Sequence, residues 1–258
     1  MKSFACFILG WWFSFVVAHA AEPWAEAKLP TEKGLELWLD ATKQSAARAA
    51  RKLPPLADNS LLDVLLDGSG QQRDLVQRVA EAQPKFRVVG TNAFVRFDGK
   101  DDFLAAANLR RAFTNCTVFV VAAPHSNLGF FRGLVAFNQT DRRDYESGFT
   151  LDLNAPFSSQ LNNLNLEGRG FGGARNLLKT SSRFGELRII ECSADPQARK
   201  IRLVVDGKAE GEREFVPGEL TMDDITIGAR FYTNEPNQPH IVRGFFHGDL
   251  AEVIIYNR

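Results

Sequence analysis

The stretch GFFHGDLAEVIIYNR, Gly244 to Arg258, decides the fold. Its apolar run, Val253 to Tyr256, follows a Gly-Asp pair and reads as a strand buried on both faces, the kind found in the middle of a sheet. A strand at the end of a chain pairs only with strands already laid down. The preceding residues are therefore expected to form a sheet that this segment completes.

Working outward from that stretch, the chain from Ala93 onward is regularly punctuated. Strand-like runs such as AFVRFDG, CTVFVVAA, GFTLDLN, LRIIEC and IRLVVDG are separated by Gly, Asn, Asp and Pro clusters. GFTLDLN alternates, with Phe149, Leu151 and Leu153 on one face and Thr150, Asp152 and Asn154 on the other. IRLVVDG repeats the alternation and turns at Asp206-Gly207, a dipeptide suited to the positive φ angles of a tight hairpin. Further back, LELWLDA reads as a first strand, and Thr42 to Lys52 as a short surface helix or ordered loop stopped by Pro54-Pro55. Many strands with one apolar face and few helices mean an all-β fold, two antiparallel sheets packed face to face, with the 21 Phe residues mainly filling the core. No internal repeat of fixed period points to a propeller or solenoid.

Residues 1–20 read as a signal peptide, with Lys2 at the positive end, an apolar stretch from Phe4 to Val17, and a cleavage site at Ala18-His19-Ala20. The apolar stretch is short for a membrane span, so a secreted, periplasmic or cell-surface protein without a span after leader removal is expected. Residues 21–34 read as a connector, and residues 35–258 are long enough for one large sandwich. Lys plus Arg and Asp plus Glu are both 31, which argues against a basic nucleic-acid surface. Cys116 and Cys192 sit in apolar strand-like runs, as two buried thiols or as one disulfide pinning two strands.

Four motifs occur in an order that resembles one family. FVRFDGKDDFL is similar to the opening strand of laminin G-like, concanavalin A-like jelly-roll domains. IRLVVDGKAEGER resembles their hairpin, DITIGARFY a later strand, and GDLAEVIIYNR their closing strand. The resemblance covers roughly residues 35–258 and implies a two-sheet antiparallel jelly roll. It also implies a secreted or surface module that binds glycans or extracellular proteins, often with calcium.

Laminarinase-like glucan hydrolases share that fold, and their E-x-D-x-x-E signature needs two carboxylates about 5 Å apart. The nearest match, His247 to Glu252, has His in the nucleophile position, so no catalytic residue is expected. No G-x-S-x-G nucleophile elbow occurs, and His125, His240 and His247 lack metal spacing. No cofactor is required by the pattern. For calcium, Asp67, Ser69 and Asp74 offer hard oxygen ligands on a tight loop, and Glu252 faces a loop or an ion; the competing reading is an Asx-turn capping its own backbone. Glycan binding needs exposed aromatic faces beside polar groups. Phe130, Phe131 and Arg132, the Gly-rich loop with Arg169 and Phe171, and Phe231 with Tyr232 are the candidates. The competing reading of the Gly-rich loop, and the favoured one, is an inter-strand loop crossing over a neighbouring segment. Asn115-Cys116-Thr117 and Asn138-Gln139-Thr140 fit the glycosylation sequon.

The expected function is a non-catalytic recognition module that binds carbohydrate or another extracellular polymer through rim loops. The alternatives are a structural or protein-docking domain and a glycoside hydrolase.

Overall fold

The computed structural model describes residues 21–25, 29, 33–154, 156–232 and 238–258, so the expected leader at residues 1–20 lies outside the described residues. The terminal strand, His247–Tyr256, sits inside a sheet as its sequence requires. One edge pairs with Cys116–Pro124. The other takes Asn92–Asp98 along His247 to Leu250, then Leu35–Asp40 along Glu252 to Tyr256. Arg188–Asp195, Lys200–Val205 and Lys208–Glu214 extend the sheet on one side, Lys85–Val89 and Ser60–Leu61 on the other. Every pairing is antiparallel, and the Asp206-Gly207 hairpin has the expected positive φ angles, 50° and 74°.

The second sheet runs Gly172–Asn176, Asn165–Gly168, Phe149–Leu153, Arg132–Asn138, Asp224–Ile227, Leu104–Ala106, Leu75–Val76, Val64–Leu65. The inward residues of both sheets form one core cluster, which includes Val118, Val120, Val253 and Ile255 from the first and Phe137, Leu151, Ile225 and Ile227 from the second. Each such side chain contributes about 2 kcal/mol by leaving water. A row of phenylalanines threads this core: Phe113 to Phe137 at 5.7 Å, Phe137 to Phe149 at 5.4 Å, Phe149 to Phe171 at 6.2 Å and Phe171 to Phe215 at 5.4 Å between ring centres. The result is the expected two-layer jelly-roll sandwich.

Three details differ from the plain pattern. The polar face of Phe149–Leu153 is not solvated: Thr150 and Asp152 are buried as completely as Leu151, because Arg230 and the helix Asp144–Ser147 cover them. A bulge between Leu250 and Glu252 places Asp249 and Glu252 opposite Ala123 and Val121, on the outer side of the terminal strand, although they are three residues apart. The segment at residues 21–34 is partly laid down on the sheet: Ala21, Ala25 and Leu29 pack over Leu35, Trp38 and Tyr256, and Glu22 N–H donates to the Gly68 carbonyl.

Of the two readings of Cys116 and Cys192 the structure holds the first: both are free, buried thiols, and the bridge is not made. In register Cys192 faces Val118 and Cys116 faces Ala194, so the two cysteines are diagonal neighbours on paired strands. Diagonal Cα atoms sit roughly 7–8 Å apart in an antiparallel ladder, beyond comfortable disulfide reach. Burial pushes both thiols well up.

Candidate functional site

The residues with chemistry to offer gather at the end of the sandwich where Arg132–Asn138 begins. Asn127, 1% exposed, stitches two loops together there. Its Nδ2 donates to the carbonyls of Asn154 and Pro156 at 3.2 and 3.0 Å, and its Oδ1 accepts from Ser158 N–H at 3.1 Å. Large apolar side chains flank this clamp: Leu128 is 60%, Phe130 70% and Phe157 65% exposed. Two further loops join the same end. Gly133 N–H donates to the Gly244 carbonyl at 2.8 Å, Arg132 Nη1 donates to the carbonyls of Gly99 and Phe245, and His125 N–H donates to the His247 carbonyl at 2.8 Å.

The three candidates on the first loop diverge. Phe130 points into solvent. Phe131 adopts a positive φ of 52° and turns its ring onto the Arg230 guanidinium, 5.3 Å from the ring centre. Arg132 is half-buried, and burial lowers its pKa.

Beneath Phe131 lies a buried charge network that the alternation in GFTLDLN placed on one face without revealing its depth. Arg230 donates to Asp144 through Nε and Nη2, both at 2.7 Å, and through Nη1 to Glu167 at 2.6 Å and Asp152 at 3.1 Å. Asp152 also accepts from Asn165 Nδ2 at 2.9 Å. Burial raises the pKa of Asp152 and of Glu167 despite the nearby cation. Burial alone would lower Arg230, but hydrogen bonding and charge from Asp144 outweigh it and raise its pKa. All three acids face inward onto one cation, which makes this a structural anchor for the strand Arg230–Tyr232.

The other candidate residues are dispersed. Phe171 is a core residue, 2% exposed, which corrects its reading as a rim aromatic. The Gly-rich loop is a backbone crossing: Val216 N–H donates to the Gly170 carbonyl at 2.9 Å, and a Cβ on Gly170 would collide with the Val216 carbonyl. Chain reversal over Gly168 and Gly172 folds Phe171 back against Phe149 and Phe215. Arg169 is exposed, but it follows Gly168, which pairs with Phe149 at the opposite end of the ladder from Arg132. Phe231 packs on the His240 ring at 4.4 Å and walls a separate shallow groove of about 350 Å³ with Val76, Arg78 and Ala105. Tyr232 pairs with Ile241 in the backbone ladder.

The oxygens of Asp67 are fully engaged. Oδ1 accepts from the N–H groups of Trp38 and Ser69 at 3.0 and 2.9 Å, and Oδ2 from Ser69 Oγ at 2.7 Å and Arg73 N–H at 3.0 Å. Asp74 accepts from Asp67 N–H at 2.9 Å. Glu252 accepts from the Trp38 indole at 2.8 Å. These are the bonds of an Asx-turn and of strand anchoring, and an ion at this loop would have to displace them. Carboxyl oxygens converge elsewhere, at Asp98, Asp101 and Asp102, whose ligand atoms lie within 4.8 Å of one another. Burial raises Asp102 to about 6, and Asp102 Oδ2 accepts from Asp98 N–H at 2.8 Å.

Sequence spacing also missed a histidine pair. His125 and His247 meet edge to face at 5.3 Å, and His125 Nε2 lies 3.2 Å from Asp249, which Arg96 grips through Nε and Nη2 at 2.7 and 2.8 Å. Desolvation opposes the charge on Asp249, but Arg96 and His125 prevail and lower its pKa. Of the two sequons, Asn138 is buried, its Nδ2 donating to the Gln139 carbonyl at 2.9 Å.

No protein-family model matches this chain, and no curated protein matches it by sequence. Solved structures do resemble it. The Trypanosoma rangeli sialidase in complex with the inhibitor DANA superposes with a TM-score of 0.53 at 15% identity, over 94% of this chain and 33% of the sialidase. A native heptameric SAP-like pentraxin from Limulus polyphemus gives 0.51 at 13% identity over 63% of this chain and 75% of the pentraxin. Domain 4 of AbnA, a GH43 extracellular arabinanase from Geobacillus stearothermophilus, solved with arabinotriose, gives 0.50 at 9% identity over 88% of this chain and 93% of the domain. This chain therefore spans about a third of the sialidase it matches. At these identities the likeness is one of fold, and the fold is the jelly-roll, concanavalin-like sandwich.

Proposed function

We propose that this chain is a secreted, non-catalytic recognition module of the laminin G-like kind, which binds carbohydrate through the loop end built on Asn127. The observation that carries this reading is the pair Phe130 and Phe157, each about two-thirds exposed on loops locked together by a buried amide. An exposed aromatic ring on a rigid loop stacks on a sugar ring without a large ordering cost. The arabinanase domain of similar fold was solved with arabinotriose, which supports the reading. Absence of catalysis is supported by the carboxyl groups themselves. Asp249 is gripped by Arg96, Glu252 by Trp38, and Asp144, Asp152 and Glu167 by Arg230, so each of these five carboxyl groups is held by a structural partner instead of standing ready as the nucleophile or acid of glycoside hydrolysis. No cofactor is required; if calcium takes part, the carboxyl cluster at Asp98, Asp101 and Asp102 is its place.

A glycan array probed with the purified protein, with and without chelator, tests the reading. Binding should be lost in Phe130→Ala and in Phe157→Ala with the melting temperature unchanged. Exposed Leu128 also suits an extracellular protein partner; an array blank for every sugar would favour that docking reading. Turnover of any glycan would overturn the non-catalytic assignment.

A further inference from the structure

We infer that the loop end recognises a sugar carrying an oxyanion, a carboxylate or a sulfate ester, and that Arg132 is the residue that reads it. The inference rests on the carbohydrate reading above and names the ligand class within it. Its ground is the state of the Arg132 guanidinium. Nη1 is spent inside the protein on two neutral carbonyls, those of Gly99 and Phe245. Nε is buried and has no acceptor. Nη2 makes no hydrogen bond at all among the described residues. The nearby carboxylates are committed elsewhere: Asp249 to Arg96 and His125, Asp98 to Lys100.

Other buried arginines are treated differently. Arg230 has three carboxyl partners, Arg73 has Glu36 and Arg48 has Asp63. A cation that gives up part of its hydration without a counter-charge is unfavourable, and an anion arriving from solution relieves that. Arg213 shares the carbonyl-only pattern, but it serves the Gly-rich crossing, where its Nη1 binds the carbonyls of Leu166 and Gly173. Arg132 is distinguished by what surrounds it.

Phe130, two residues away, offers its ring to solvent. Gly129, the residue before Phe130, has φ of 106° and lies against the guanidinium. A Cβ at that position would lie 2.5 Å from Nη2 and 2.7 Å from Nε, so only a glycine lets the guanidinium sit against this loop, and any side chain there would displace it. In the proposed pose a sugar stacked on Phe130 turns a charged ring substituent toward Nη2, two residues along the same loop. Charge-assisted bonds from arginine to oxyanions are the strong ones, and they are directional. Asp98, next to Gly99, and its neighbours Asp101 and Asp102 keep this end from being broadly basic. Recognition is therefore of a placed oxyanion instead of the field of a polyanion.

The test is an array printed in matched sets that differ only at C6 of the hexose: hydroxymethyl, carboxylate and 6-sulfate, on several backbones. Wild type should bind one or both charged members at least about tenfold more tightly than the neutral one. The preference should fall to near unity in Arg132→Gln and be partly kept in Arg132→Lys, with melting temperature as the folding control. Carboxylate and sulfate arms identify the source of the charge. Equal binding of neutral and charged members overturns this inference and leaves the carbohydrate reading standing. A charged preference that survives Arg132→Gln overturns the assignment to Arg132. Binding to no member overturns both. Should Arg132→Gln fail to fold, a salt titration of the wild type decides: affinity for the charged member must fall with ionic strength and that for the neutral member must not.

Discussion

Asn127 holds Pro156: the Asn127 Nδ2 donates to the Pro156 carbonyl at 3.0 Å, from a side chain that is 1% exposed. The bond joins a loop carrying Phe130 to one carrying Phe157, so the spacing of two exposed rings depends on one buried amide. Asn127→Ala removes the acceptor of the Ser158 N–H and a donor to the Pro156 carbonyl and should cost about 2 kcal/mol in urea unfolding. It should also open residues 154–160 to limited proteolysis under native conditions. Unchanged cleavage would show that the loops are held by something else.

How much of this was legible follows the range of each signal. The terminal strand, the Asp206-Gly207 turn and the inward set Phe149, Leu151, Leu153 are local patterns, and they survive intact in the fold. Phe130 was legible as an aromatic in a turn-rich segment. Asn127, the residue that makes the loop a platform, carries no spacing signal, because its partners lie about thirty residues on and are backbone atoms. Arg230 was missed for a similar reason: Asp144, Asp152 and Glu167 are 63 to 86 residues away and converge only through sheet pairing and a short helix.

Phe171 shows the opposite error and yields a clean prediction. Four glycines around it look like a flexible tip, yet they bring two backbones close enough to drive the ring inward against Phe149 and Phe215. Phe171→Ala should therefore cost stability, about 3–5 kcal/mol by chemical denaturation, and leave ligand affinity unchanged in whatever fraction stays folded. An affinity loss at unaltered stability would restore the ring to the binding surface.

Removing the cation at Arg230 should be more damaging than removing any one of its partners. Arg230→Ala strands three buried carboxyl groups, a loss of about 3–5 kcal/mol at neutral pH. Burial already raises Asp152 and Glu167, so these acids take up protons as pH falls. Groups with raised acid pKa values favour the folded state more at low pH, and without the cation that effect grows. The difference in melting temperature between wild type and Arg230→Ala should therefore narrow from pH 8 toward pH 5. A gap that stays constant with pH would mean the acids are reached by water once Arg230 is gone.

Asp102 provides a pH test in the wild-type frame. Burial, seconded by Asp98 and Asp101, raises its carboxyl to about 6 from 3.8. The folded state thus keeps a proton that the unfolded state has released between about pH 4 and pH 6, and stability attributable to this group falls as pH rises through that window and is flat above it. Asp102→Asn keeps an oxygen to accept from Asp98 N–H and removes the charge. The variant should match wild type below about pH 4, gain on it through the window, and be about 3 kcal/mol more stable above pH 6. Repeating the scan with millimolar calcium adds a second decision. If the three acids share an ion, calcium should raise the wild-type melting temperature above pH 6 and erase the advantage of Asp102→Asn. An advantage indifferent to calcium would assign the cluster to loop structure alone, with Asp102 tolerated as a buried acid for the sake of the turn it closes.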